Sequence, residues 1–341
     1  ILDTGSTDGT QDIIREHYKD LPGALHEAPW KGFGASRTEA LTLGRGMADY
    51  LCFIDADCEM RFPDGFSRPT LTADAYHLRH QNGEVGFVRV DLAATRLDWS
   101  YVGVLHEVLT CATPTQVELL EGPWILEHPE GARSRDPKTY EKDAAILEEA
   151  LREDPTNARH RFYLAQSYRD AGQPEKALEA YRARAAMGGW GEEVYISLLR
   201  AAQLLELLNK PEPEVVHAYL MALEARPSRA ETHGRLAAYL RGRQRYTMAL
   251  NFAEQGMALP IPPDLLFVGT TYHTWRCLDE FAVAAYWVGP RGGGPSCLRP
   301  PQASALALSK SQRASTWRRS VVSAPMLTRS IWVPLSMEGV R

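Results

Sequence analysis

The chain has 341 residues, 44% of them hydrophobic and 24% charged, with a formal net charge of −5. That length allows about two domains with a sizeable core, and that composition excludes wholesale disorder, a collagen-like fibre and a membrane-embedded bundle. The acidic balance argues against general affinity for nucleic acid or anionic membrane, which needs a basic face. Five cysteines (Cys52, Cys58, Cys111, Cys277 and Cys297) form no CxxC pair, which suits a reducing, cytoplasmic setting better than a disulfide scaffold.

In chain order, Ile1-Leu2 runs straight into the loop Asp3-Thr4-Gly5-Ser6-Thr7-Asp8-Gly9-Thr10, which should follow a full strand, so the opening reads as cut short of a first strand. Asp8 through Gln11 reads as a capping box that opens a helix over residues 12–18. Residues 24–27 suit a short strand and 35–47 a second helix. The apolar run 50–54 stops at Asp55, the pattern of a buried parallel strand. The pattern then turns antiparallel: residues 74–80 and 86–92 flank Asn82-Gly83, a hairpin signal, and 116–120 and 124–127 continue the strands. Residues 1–136 therefore read as one layered α/β domain.

From Pro137 the strands give way to a helical repeat. Asp143, Ala177, Val215 and Ala249 fall in one slot, spaced by 34, 38 and 34 residues, close to the tetratricopeptide period. In the second unit Leu164, Ala165 and Tyr168 take the first helix, Gly172 the turn, and Ala177 and Tyr181 the second helix. Three to four units over residues 138–260 and a closing helix over 271–288 make a solenoid domain of 137–288, whose surface suits a peptide partner. From Gly289 to Arg341, Ser, Pro and Gly dominate and eight Lys/Arg face a single acid, Glu338, so 289–341 reads as a disordered or frame-shifted tail.

Several residues could carry chemistry. Asp3 ends a strand at a glycine-bearing loop and is not needed for capping, so a ligand could sit beside it. Asp55-Ala56-Asp57 leaves the apolar run; residues i and i+2 of an extended segment point the same way, so both carboxylates could face one Mg²⁺ or Mn²⁺ bridging to a diphosphate. Arg37 could grip a diphosphate with its fork, or be a solvated helix charge. Glu107, or His106 at neutral pH, could serve as general base, the other reading of His106 being a satisfied buried imidazole.

The opening octapeptide, residues 33–37, Asp55-Ala56-Asp57 and Val104-Leu105-His106-Glu107 occur in the order seen in family 2 glycosyltransferases of the GT-A fold. Over residues 1–288 the chain resembles the bacterial subgroup that joins this domain to tetratricopeptide repeats. The resemblance implies an inverting, metal-dependent transferase of hexosyltransferase type. Its donor would be a nucleotide-diphosphate sugar, its acceptor an unidentified glycan, lipid or protein, and its place the cytoplasm or the inner face of the membrane. It also implies donor contacts from Asp3, Ser6, Arg37 and Asp55, with Asp3 at the nucleotide base, metal ligands in Asp55 and Asp57, and a late histidine, His128, as a third ligand. The sequence departs from the family at Gly32, where an acid is usual, at Thr38, where Asn is usual, and at Cys58, often Glu. Those departures leave a second reading, an interaction module of repeats attached to an inactive transferase domain. A nucleotidyltransferase is disfavoured, because no glycine-rich loop carries the basic residue that holds a triphosphate.

Overall fold

The computed structural model describes residues 1–128, 136–289 and the backbone of 331–335. Leu2–Asp3 (β1) pairs in parallel with His26–Glu27 (β2), the helix Thr10–His17 (α1) crossing between them. The expected capping box does not form: Asp8 Oδ1 accepts from the backbone and hydroxyl of Thr10, while Gln11 turns back to donate to the Ser6 carbonyl at 2.8 Å. Gln11 is thus spent on the preceding loop, where it also reaches the buried Asp3 Oδ1 at 3.3 Å.

The helix Phe33–Gly44 (α2) leads into the strand Tyr50–Ile54 (β3), whose side chains alternate between two cores. Leu51 and Phe53 pack with Leu41 and Trp99, whereas Tyr50 and Cys52 pack with Tyr76 and Leu92 on the other face. The pairing corrects one expectation. Both neighbours of β3, Val85–Ala94 (β6) and the backbone of Ile331–Leu335 (β11), run antiparallel to it. A continuous apolar run reports burial on two faces and carries no information on strand direction.

Cys58–Arg61 (β4), Ala75–Asn82 (β5), Val117–Glu127 (β9) and Val268–Gly269 (β10) complete a sheet of order β11-β3-β6-β5-β9-β4, with β10 on the first residues of β6. Trp99–Val102 (β7) and Val108–Cys111 (β8) form a separate hairpin against α2, where Thr38 Oγ1 accepts from the Tyr101 amide at 2.9 Å. The hairpin expected at Asn82-Gly83 forms, while the two strands expected over 116–127 are one strand with an irregularity in its pairing to β5.

Eight α-helices follow among the described residues: Thr139–Glu153 (α3), Ala158–Asp170 (α4), Pro174–Ala186 (α5), Gly191–Leu207 (α6), Glu212–Ala225 (α7), Ala230–Gly242 (α8), Tyr246–Met257 (α9) and Cys277–Val288 (α10). They stack in sequential pairs, as a repeat solenoid does. All four slot residues, Asp143, Ala177, Val215 and Ala249, are buried, with Tyr181 and Tyr219 filling the space between helices. Small residues allow the closest approach. A Cβ added at Gly234 would lie 2.6 Å from the Tyr272 ring, and one at Gly256 would lie 2.8 Å from Cys277 Sγ, so α10 seats tightly on α8 and α9. No helix among the described residues is long and apolar enough to cross a membrane. The expected tail lies outside the described residues apart from the backbone of β11.

The solenoid returns to the sheet through residues 264–269. Arg229, fully buried, reaches Glu231, Asp264 and the carbonyls of Leu266 and Phe267, while Glu192 accepts from the Leu265 and Leu266 amides at 2.8 and 2.7 Å. This seats β10 on β6. Burial alone would raise the Glu231 carboxyl, but His273, Arg229 and the Gly269 amide outweigh it and hold it at about 2, against an ordinary 4.5. A folded-state pKa below the unfolded value stabilises at pH above the unfolded value and ceases to do so as pH falls through the folded one. Denaturant melts should therefore lose stability from about pH 4.5 towards 2, and Glu231→Gln should flatten that limb while lowering stability at neutral pH.

Candidate functional site

Two of the acids singled out in the sequence, Asp55 and Glu107, lie on different elements and are brought together by arginines. Asp55 follows β3, Arg89 projects from β6, Arg37 from α2, and Glu107 from the loop that joins β7 to β8. Arg37 is the centre. Its Nη2 bonds to Asp55 Oδ1, its Nε sits 2.5 Å from Glu107 Oε1, and its guanidinium lies 5.7 Å from the Tyr101 ring centroid. Arg89 Nη1 takes the other Asp55 oxygen at 3.1 Å, and its Nε donates to the buried Asp91 at 2.7 Å. Burial pushes the Asp55 carboxyl up, but Arg89 and Arg37 pull it down to about 2. Burial likewise opposes the charge on Arg37, and the facing Asp55, Tyr101 and Glu107 leave it raised all the same.

The chain of charges continues inward. His80, on β5, places Nε2 2.7 Å from Asp91 Oδ2 and Nδ1 3.0 Å from Glu127 Oε1. Burial lowers the imidazole pKa, and the bonds to Asp91 and Glu127 more than reverse this, so the ring is raised overall. Sequence reasoning missed Arg89, Asp91, His80 and Glu127. The available signal was the pair Arg89 and Asp91, two charges at alternate positions in an otherwise apolar strand, hence on one face of it.

Asp57 is not drawn into the arginine cluster. Burial raises its carboxyl, and the nearby Asp55 and Glu127 raise it further. His128 lies close by: its amide donates to the Asp57 carbonyl at 3.0 Å, and its Nε2 is 3.6 Å from Glu59. No group of three or more metal-capable side chains gathers among the described residues. The donor set still fits a hard cation in part, because the mutual repulsion that raises Asp57 is what a divalent ion would relieve, with diphosphate oxygens completing its shell.

Asp3 organises its own loop. Its fully buried carboxylate accepts from the Gly5 amide at 2.8 Å, the Ser6 amide at 2.9 Å and Gln11 Nε2 at 3.3 Å. Ser6 keeps a buried Oγ with no hydrogen-bond partner among the described residues. Behind this strand lies a cavity of about 470 Å³, lined chiefly by apolar groups including Leu2, Ile14, Ala40 and Leu51, which holds none of Asp55, Asp57 or Glu107.

The His106-Glu107 loop is gripped by the repeats. Leu105 is buried in the solenoid core beside Phe162 and Tyr163. His106 takes a left-handed backbone (φ 51°), stacks its ring on Tyr163 at 3.9 Å, and offers its carbonyl to Arg159 Nη2 and Nε at 2.9 and 3.2 Å. His106 is thus exposed and not a buried core histidine, and its ring stacks on the repeats.

Residues 1–64 match the profile of glycosyl transferase family 2, and residues 146–179 match that of a tetratricopeptide repeat. The chain thus carries a family 2 glycosyltransferase segment followed by tetratricopeptide repeats. Among solved structures it is similar to the MamA protein (13% identity, 46% of this chain and 76% of that one, TM-score 0.37). It is also similar to the C-terminal part of a repeat-containing protein from Cytophaga hutchinsonii (10%, 44% and 54%, 0.36) and to the repeats of a putative kinesin light chain from Podosopora anserina (16%, 46% and 82%, 0.34). A search of curated proteins found no significant match.

If α4 holds the loop, Arg159→Ala should speed amide hydrogen exchange across residues 103–107 by about tenfold or more, with α9 unchanged, because a segment opens more readily once the hydrogen bonds that pin it are removed. Exchange measured by mass spectrometry checks this.

Proposed function

We propose that the strand-rich part binds a nucleotide-diphosphate sugar and transfers the sugar to an acceptor hydroxyl with inversion. The observation that carries this reading is Arg37, whose single guanidinium ties the Asp55 carboxylate to the Glu107 carboxylate. A donor-side acid and a candidate base are thereby brought together. Asp3 and Ser6 would face the nucleotide, as the resemblance to the family implies. Arg37 would exchange carboxylate for diphosphate oxygens when the donor binds, since a guanidinium fork matches either anion. That exchange frees Glu107 to accept the proton of the attacking hydroxyl, on the face of the sugar opposite the leaving group. Mn²⁺ or Mg²⁺, held by Asp55 and Asp57 with His128 as a further donor, would supply a Lewis acid for the charge on the departing diphosphate.

A second reading has its own observation. Both oxygens of Asp55 are engaged by arginines, and Glu107 is held by Arg37, so the pairs satisfy one another without a ligand. In that case the strand-rich part is inactive and the repeats bind a partner.

Calorimetry of uridine and guanosine diphosphates with and without Mn²⁺ separates the two. Metal-dependent binding that disappears in Asp57→Ala fits the transferase, whereas no binding of either nucleotide fits the inactive domain. Glu107→Gln should leave nucleotide affinity within about twofold and lower turnover by about 10²-fold or more, the signature of a base acting only in the transition state. Normal turnover by this variant removes Glu107 from the role.

A further inference from the structure

Two guanidinium groups meet the one carboxylate that follows β3, and their other anchors differ. Arg37 takes Asp55 Oδ1 and is held otherwise by Glu107, which stands on the loop joining β7 to β8. Arg89 takes Asp55 Oδ2 at 3.1 Å and is held otherwise by Asp91, fully buried two positions along the same strand. The register that sets Cys52 opposite Leu92, carried on past the end of β3, sets Asp55 opposite Arg89. The second contact therefore follows from the pairing of two core strands.

Asp91 is itself fixed. Its other oxygen lies 2.7 Å from His80 Nε2, while His80 Nδ1 lies 3.0 Å from Glu127 Oε1 and the ring stacks on Phe87 with centroids 4.9 Å apart. An imidazole held at both nitrogens and on one face keeps a single orientation. Arg89 Nη2 is buried with no hydrogen-bond partner among the described residues, although 35% of the side chain is exposed. A guanidinium free to turn would carry that nitrogen to water, because a buried donor left without an acceptor is costly. Asp91 and Asp55 hold it where it is.

We propose that Arg89, locked by Asp91 and His80, is a positioning residue that holds Asp55 by Oδ2 and reserves Oδ1 for a divalent cation, a place that Arg37 covers until a diphosphate draws it off. The proposal rests on the glycosyl-transfer reading and adds which oxygen of Asp55 exchanges. Hydrogen-bond partners of a ligating carboxylate set its direction, and losing one commonly costs about 10–100-fold in metal affinity. Arg37 competes for the ligating oxygen itself. Two arginines on one carboxylate thus act with opposite sign, and whatever takes Arg37 away favours the cation, as the cation in turn favours it.

The test titrates the full chain with Mn²⁺ alone and follows the loss of the free-ion signal by electron paramagnetic resonance. Arg37→Met should bind Mn²⁺ about tenfold or more tightly than wild type, and Asp55→Asn in that background should abolish the gain. Adding Arg89→Lys to Arg37→Met keeps the charge but cannot span both carboxylates, so it should weaken Mn²⁺ binding by about tenfold or more. Weaker binding in Arg37→Met overturns the proposal, since a merely structural role lowers both. Unchanged binding on adding Arg89→Lys overturns it too, because charge without direction is then enough. Should Arg89→Lys melt well below wild type, His80→Gln in the Arg37→Met background decides: a loss of about threefold or more supports the lock, and none overturns it. Absence of Mn²⁺ binding by every one of these chains, with a nucleoside diphosphate or without, overturns the metal-dependent reading and the proposal together. Mn²⁺-dependent nucleotide binding by wild type, with no gain in Arg37→Met, overturns the proposal alone.

Discussion

A line of alternating charges, Glu107, Arg37, Asp55, Arg89, Asp91, His80 and Glu127, runs from the solenoid-facing loop into the sheet. Each member is held by neighbours of opposite charge, or by carboxylates in the case of the imidazole, and the line draws on six segments: a loop, α2, the end of β3, β6, β5 and β9. Taking such groups out of water is costly, and it is tolerable only because every interior member has a partner on each side. Removing one partner strands the next, at a cost of about 3–5 kcal/mol for a buried pair. The line therefore fixes where α2 and the Glu107 loop lie on the sheet more firmly than apolar contact alone, and it sets the electrostatics that any ligand must exchange into.

The same economy of paired charges governs the repeats. Arg184 with Glu193, and Arg229 with Glu231 and Asp264, are buried pairs in a solenoid that otherwise packs largely through Ala, Leu and Tyr. They specify which loop goes where: Arg184 also takes the Gly188 carbonyl at 2.7 Å, and Arg229 shapes the return to β6.

Local signals in the sequence are legible where the physics is local. The helices at 33–44 and 139–257, the hairpin at Asn82-Gly83 and the four buried slot residues all follow from periodicity, turn chemistry and small-residue packing. The antiparallel partners of β3, the diversion of Gln11 from capping to the Asp3 loop and the two-sided hold on Asp55 depend on residues far apart in the chain. Nothing in an apolar run names its neighbour. For the site, the acids Asp55 and Glu107 and the cation Arg37 are legible individually; that they form one cluster, and that Arg159 and Tyr163 of the repeats steady its edge, is not.

The burial of Leu105 among the repeat helices has a consequence for how such a chain can change over time. Repeat arrays ordinarily gain, lose and exchange units freely, since each touches only its neighbours. Here the unit containing α4 also carries the socket for Leu105, the plate for His106 and the guanidinium for its carbonyl. That unit is not interchangeable with the others. Recombination that replaced it would unseat the loop that presents Glu107, and the unit that opens at Arg229 is bound in the same way, because it shapes the return of the chain to β6, so new units could enter only where neither tie is cut.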